Sequence, residues 1–230
     1  MTASIVYRFR TVAVALLVGA VAGASAICHA QQSAATSPFE PEIAAFEKKD
    51  AVSPPPAGSI VFIGSSSIRM WSNLERAFPG KTVINRGFGG SVISDSTRFA
   101  DRILLPYHPK IVVLYAGDND LAAGKSPQQV FNDFKAFADK VRQGLPDAKL
   151  EFISIKPSPS RWKLADKMVD ANSLISAYIH KQKHMAYINV FNAMLDSDGK
   201  PRPELYKEDG LHPTPVCYEL WQKIIAPYLR

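Results

Sequence analysis

The chain has 230 residues, 47% hydrophobic and 21% charged, with a formal net charge of +6. The composition is that of a globular protein, and the lysines and arginines are dispersed without a run, which argues against nucleic-acid binding. Its two cysteines, Cys28 and Cys217, have no metal-ligand spacing to histidine, so neither a disulfide scaffold nor a structural metal is expected.

Residues 1–30 read as a removable export signal. Arg8 and Arg10 precede an apolar run over residues 12–21, and Ala24, Ser25, Ala26 and Ala30 supply small residues for cleavage after Ala30 or Ala26. The run is short for a membrane span, so a retained membrane helix and stable membrane insertion are not expected. Ile27 before Cys28 argues against a lipid anchor, and Phe9 between the two arginines argues against a twin-arginine signal. The predicted location is periplasmic or secreted, from a bacterial cell. Removal of residues 1–30 lowers the formal charge to +4 and leaves Cys217 as the sole thiol, in a chain of about 200 residues, enough for one well-buried domain.

Residues 31–57 read as a polar tail and a short helix over 41–49, with Ile43 and Phe46 facing inward. Pro54-Pro55-Pro56-Ala57-Gly58 stops that helix. Over residues 58–230, apolar runs at 60–63, 82–84, 111–115, 150–154 and 186–190 predict five strands, most of them covered on both faces. The clearest helix between them begins at Ser126, with Pro127 at its first position and Gln129 placed for a capping box. It carries Val130, Phe134, Phe137 and Val141 on one face and ends at Gly144. A second spans about 164–183, with Met168, Ala171, Ile175, Tyr178 and Ile179 inward. A last one starts at Thr214-Pro215 and buries Leu220, Trp221, Ile224 and Ile225. Strands alternating with helices predict a three-layer α/β/α domain with a parallel sheet and right-handed crossovers.

In such a sheet, binding residues gather beyond the carboxyl ends of the strands. Ser66 in Gly64-Ser65-Ser66-Ser67 follows the first strand, and Gly90 in Gly87-Phe88-Gly89-Gly90 the second. Asn119 in Gly117-Asp118-Asn119-Asp120 follows the third, and Asp209-Gly210-Leu211-His212 lies before the last helix. A carboxylate three residues before a histidine can accept from Nδ1 and leave Nε2 as a base. Each residue also has a plainer reading. Ser66 can cap a helix, Gly90 can serve a tight turn, Asn119 can hold a local turn and His212 can sit on the surface. Gly90 can instead present a backbone N–H, and Asn119 an amide donor, to an oxyanion. Gly-x-Ser-x-Gly is absent because Ile68 holds its last position, and the glycine loop lacks the lysine of a phosphate-binding loop. Asp118 and Asp120 lack the further oxygen ligands of a cation site. His180 and His184 share a helix face at i, i+4 but lack the partners of a metal site and read as solvated; His108, before Pro109, reads as a loop residue.

Taken in order, these segments resemble the SGNH hydrolases, the GDSL-type esterase superfamily, over residues 58 to about 228. The four block residues are Ser66, Gly90, Asn119 and His212. The stretch Phe62-Ile63-Gly64-Ser65-Ser66-Ser67-Ile68-Arg69-Met70-Trp71 is similar to a bacterial subgroup in which serine, here Ser65, replaces the aspartate before the nucleophile. The resemblance implies a hydrolase domain over residues 58–230 and a flavodoxin-like five-stranded sheet ordered 2-1-3-4-5. It also implies ester hydrolysis without a cofactor or metal. Ser66, His212 and Asp209 would form the triad, and the Ser66 and Gly90 N–H groups with the Asn119 amide the oxyanion hole. The expected substrate is a small-molecule or carbohydrate acyl ester, with short acetyl-type acyl groups. Trp162, in Lys156-Pro157-Ser158-Pro159-Ser160-Arg161-Trp162, either stacks on a sugar or anchors its loop. The competing readings are a lysophospholipase or thioesterase of the same superfamily, and a non-catalytic binding module on this fold. Oligomeric state is not legible.

Overall fold

Five short apolar segments set the architecture: β1 (Ile60–Gly64), β2 (Val83–Gly87), β3 (Ile111–Tyr115), β4 (Lys149–Ile153) and β5 (Met185–Ile188). They form one parallel sheet in the order β2-β1-β3-β4-β5, the order the resemblance implied. The computed structural model describes residues 37–230 together with Met1 and Thr2. The expectations for the export signal, for Cys28 and for the tail up to residue 36 lie outside the described residues.

Eight α-helices join or cover the strands among the described residues: α1 (Glu40–Val52), α2 (Ser66–Arg69), α3 (Leu74–Ala77), α4 (Ile93–Ile103), α5 (Asp118–Ala122), α6 (Pro127–Gly144), α7 (Ala165–Ile179) and α8 (Pro215–Ile225). Side chains alternate across a strand, and both faces of β1 and β3 are apolar. Val61, Ile63, Val112 and Leu114 enter a core with Ile43 of α1, Phe99 of α4, Phe134 of α6 and Ile175 of α7. Ile60, Phe62, Ile111 and Val113 enter a second core with Ile68 of α2, Leu74 of α3 and Trp221 of α8. Each fully buried aliphatic or aromatic side chain contributes about 1.5–3 kcal/mol, so the sheet is held from both sides. The long helix starts as its sequence predicts. Ser126 Oγ accepts from the Gln129 N–H at 3.2 Å, and Gln129 Oε1 accepts from the Ser126 N–H at 2.8 Å.

Element ends differ from the sequence expectations where polar side chains replace ladder bonds or bury a charge. β2 runs on through Asn85 and Arg86, because the buried Arg86 guanidinium donates to Asp50 of α1 at 2.5 Å and to Tyr107 Oη at 3.0 Å. A buried charge with these partners is tolerated in a strand that periodicity alone ends at Ile84. β4 stops at Ile153 and β5 at Ile188, because Ser154 Oγ accepts the N–H groups of Val190 and Phe191 at 3.0 and 3.1 Å. α7 ends at Ile179 rather than near Lys183, with His180 as its cap and His184 at a positive φ of 58°. His180 and His184 therefore do not share a helix face, although both are exposed.

Register carries the sheet to the site. Gly64 of β1 is paired with Gly87 of β2 and with Tyr115 of β3. Three strands thus end at one level, and the loops that follow leave the sheet together at the switch point between β1 and β3.

Away from that edge, Glu151 of β4 is only 3% exposed. Its Oε2 has no hydrogen-bond partner among the described residues. Burial pushes its carboxyl up to about 7, with Lys149 acting in the other direction. An unfolded glutamate titrates near 4.3. Between that value and about 7 the native chain holds more protons than the unfolded one, so stability falls as pH rises through this window. Glu151→Gln is expected to raise Tm at pH 8 and to leave it nearly unchanged at pH 4. Thermal melts at the two pH values check this, and an equal shift at both would contradict it.

Candidate active site

Ser66 is the first residue of α2, just beyond β1. Its neighbours Ser65 and Ser67 are 1% and 2% exposed, and the Ser65 N–H donates to Tyr115 O at 3.0 Å, which ties the turn to β3. Of the three serines, Ser66 alone meets a histidine. His212 Nε2 lies 3.0 Å from Ser66 Oγ, across 146 residues of sequence.

The loop that carries His212 is pinned at several points. The Lys207 N–H donates to His212 O and the Gly210 N–H to Lys207 O, both at 2.8 Å. Tyr206 and Pro213 form an isolated antiparallel bridge, and Tyr206 Oη donates to Pro157 O at 2.6 Å. A 3₁₀ turn over Pro159–Leu164 clamps the tip, where the Ser160 N–H and hydroxyl both donate to Gly210 O at 3.1 Å.

Within the loop, Asp209 Oδ1 accepts the Leu211 and His212 N–H groups at 2.8 and 2.9 Å, and Oδ2 accepts from His212 Nδ1 at 2.5 Å. Desolvation acts to raise the Asp209 carboxyl. The His212 ring and the two N–H donors outweigh it and hold the group well below the usual carboxylate range. A carboxylate that stays ionised keeps the proton on Nδ1, so Nε2 faces the Ser66 hydroxyl as an acceptor.

The Ser66 and Gly90 N–H groups have no hydrogen-bond partner among the described residues. Gly90 adopts φ +80° with open space where a Cβ would stand, so the conformation rather than crowding requires glycine there. Ser91, fully buried, fixes this loop: its hydroxyl lies 3.2 Å from Gly64 O and 3.0 Å from Phe88 O. Asn119, in the first turn of α5, donates from Nδ2 to Ser91 O at 3.0 Å and accepts at Oδ1 from Arg161 Nη2 at 2.9 Å. A primary amide has two N–H bonds, and only one of them has a partner among the described residues. Ser91 and Arg161 escaped sequence reasoning. Nothing local marks Ser91, and the only hint of Arg161 was its place in a proline-rich loop after the fourth strand.

The two flanking aspartates point to different partners. Asp118 faces Arg161 Nη1 at 3.1 Å and the fully buried Lys156 Nζ at 3.5 Å; burial holds the Lys156 ammonium below the usual lysine range, with Asp118 partly opposing it. Asp120 accepts the Ile93 N–H at 3.1 Å and Lys125 Nζ at 2.8 Å, and burial pushes its carboxyl up while Lys125 draws it down. Among the described residues no three His, Cys, Asp or Glu side chains gather as a metal-ligand group. His108 sits in a loop at φ 45°, away from the triad contacts. Cys217 is buried and unpaired, and burial pushes its thiol up to about 12. Trp162 is half-buried against the first core, with Lys200 Nζ 5.4 Å from its ring centroid.

Known proteins resemble this chain at two levels. The model of the GDSL-like Lipase/Acylhydrolase family matches residues 59–220, which spans every residue of the site. Among curated proteins no match is found. Of solved structures, a Streptococcus pneumonia protein named for platelet activating factor aligns with TM-score 0.74 at 22% identity, over 83% of this chain and 92% of its own. A GDSL-like lipase from Bacteroides thetaiotaomicron aligns with TM-score 0.70 at 22% identity, over 81% and 96%. An acetyl-xylooligosaccharide esterase from Geobacillus Stearmophilus aligns with TM-score 0.61 at 10% identity, over 76% and 95%. At these identities the structural likeness is one of fold.

Proposed function

The chain belongs to the GDSL-like Lipase/Acylhydrolase family, and from that premise we propose that it is a serine esterase that removes short, acetyl-type acyl groups, with acetylated carbohydrate as the substrate class. The observation that carries the reading is the continuous line of contacts from Asp209 through His212 to Ser66 Oγ, at 2.5 and 3.0 Å.

His212 Nε2 takes the hydroxyl proton as Ser66 Oγ bonds to the ester carbonyl carbon. The carbonyl π electrons move to oxygen, and that oxyanion accepts from the Ser66 and Gly90 N–H groups and from the Asn119 amide. When the tetrahedral species collapses, the ester C–O bond breaks and the leaving alkoxide takes the proton from Nε2. Water then adds to the acyl-enzyme with His212 again as base, and loss of Ser66 Oγ releases the carboxylic acid. Asp209 keeps the ring in one tautomer and stabilises the imidazolium in both steps. The Ser66 and Gly90 N–H groups cost little to aim, because they have no protein partner to give up.

The acyl preference draws on the neighbours. One is an acetyl esterase with acetate ion and another the acetyl-xylooligosaccharide esterase described above. Acetate release from acetylated xylooligosaccharide should exceed hydrolysis of p-nitrophenyl palmitate by more than tenfold in kcat/KM, about 1.4 kcal/mol of transition-state preference. A preference for the palmitoyl ester would instead favour a lipase or lysophospholipase. Trp162 packs as a loop anchor against the first core, with part of its ring still exposed. Export to the periplasm or medium is part of the same proposal, supported by Arg8, Arg10, the apolar run and Ala30. N-terminal sequencing of the exported protein tests it, and a mature chain that still begins at Met1 would oppose it.

A further inference from the structure

We propose that Arg161 is a positioning residue for Asn119: together with Ser91 O, it fixes which end of the Asn119 amide faces the substrate. The inference rests on the esterase reading above and extends it to a residue outside the triad and the oxyanion donors.

An asparagine amide has two ends of nearly equal shape and opposite hydrogen-bond sense. An oxyanion donor needs the NH2 end. At Asn119 the surroundings sort the two ends, since Oδ1 accepts from Arg161 Nη2 at 2.9 Å and Nδ2 donates to Ser91 O at 3.0 Å. Rotated by half a turn, the amide would aim N–H at a guanidinium that has no acceptor and oxygen at a carbonyl oxygen. Ser91 O and Arg161 each disfavour that flip, and Arg161 holds the Oδ1 end.

Arg161 is itself fixed. Nη1 lies 3.1 Å from Asp118 Oδ2 as an ion pair without hydrogen-bond geometry, so the one guanidinium hydrogen-bonds Asn119 and is held electrostatically by Asp118, the preceding residue of α5. Asp118 is 4% exposed and also faces the fully buried Lys156 at 3.5 Å. The backbone around Arg161 belongs to the 3₁₀ turn whose Ser160 clamps Gly210 in the His212 loop. One segment thereby sets the oxyanion amide and braces the base. The Arg161 side chain is 19% exposed, so a direct contact with substrate is the rival role.

A double-mutant cycle on p-nitrophenyl acetate separates the two. Asn119→Ala should lower kcat by about 10²–10³, the usual loss for one oxyanion donor. Arg161→Ala should lower kcat by about tenfold or more, within that bound, with KM changed by less than about threefold. In the Asn119→Ala background the same change should cost less than about twofold, because Arg161 then has nothing left to orient. Arg161→Lys should recover only part of kcat, and it carries the same cycle if the alanine variant does not fold. Losses that multiply in the double variant, or a loss confined to KM, would overturn the positioning role in favour of substrate contact or general support. An Arg161→Ala enzyme equal to wild type would overturn it outright. If wild-type protein itself neither turns over the ester nor labels at Ser66 with a fluorophosphonate, the esterase reading has failed instead.

Discussion

Ser66→Ala is expected to remove turnover of p-nitrophenyl acetate, with a kcat loss on the order of 10⁶ when a nucleophilic serine is deleted. The size follows from the absence of a substitute. Ser65 and Ser67 flank the position but are buried at 1% and 2% exposure, and His212 Nε2 meets Ser66 Oγ alone, at 3.0 Å. Stability should hardly change, because a half-buried hydroxyl whose partner is a solvent-accessible ring supports little of the fold. Steady-state kinetics beside a thermal melt read both effects. A variant that melts like wild type and keeps more than about a tenth of its kcat would move the nucleophile away from Ser66. The surviving basal rate should come from the proposed oxyanion donors, which remain in place.

Gly64→Ala should have the largest effect on stability. Gly64 ends β1 at φ +139°, and an added Cβ would stand 1.9 Å from Tyr115 O and 2.7 Å from its carbonyl carbon. Both atoms are backbone of the neighbouring β3, so no side chain can rotate away. Relief requires β1 and β3 to separate at the point where Gly64 and Tyr115 are paired. Overpacking costs about 1–3 kcal/mol and the left-handed conformation about 1–2 more, which gives roughly 2–5 kcal/mol. For a domain of this size that is a Tm drop of roughly 4–20 °C. Gly90→Ala is the control: φ is also positive, at +80°, but nothing lies within 4 Å of the new Cβ, so only the conformational strain of about 1–2 kcal/mol applies. A Gly64→Ala protein that melts within about 3 °C of wild type would show that the strand edge is softer than its register implies.

Much of this was legible in the chain because the relevant signals are local. The capping box at Ser126 and the apolar runs of the first and third strands depend on neighbours in sequence, and the structure holds them as expected. Asp209-Gly210-Leu211-His212 is a self-contained turn whose carboxylate meets its own histidine. What stayed hidden depends on distant partners. Arg86 sits in a strand because Asp50 and Tyr107, 36 and 21 residues away, take up its donors. Ser154 ends two strands at once through bonds to Val190 and Phe191, which no periodicity contains. The start of α4 is held both locally, where Asp95 accepts the Val92 N–H, and by Asp120, 27 residues on, which accepts the Ile93 N–H. The same holds for the site. Ser66, Gly90, Asn119 and His212 announced themselves by motif, whereas Ser91 and Arg161, which hold Asn119 from either side, have none.

The most direct test of the proposed chemistry is peptide mapping after reaction with a serine-directed fluorophosphonate. Native protein should carry one phosphonyl adduct on Ser66, and His212→Ala, with no base to take the hydroxyl proton, should label at least a hundredfold more slowly, a loss of about 2.7 kcal/mol in activation. A folded wild-type protein with no adduct, or with its adduct on Ser65 or Ser67, would contradict the assignment of Ser66 as nucleophile.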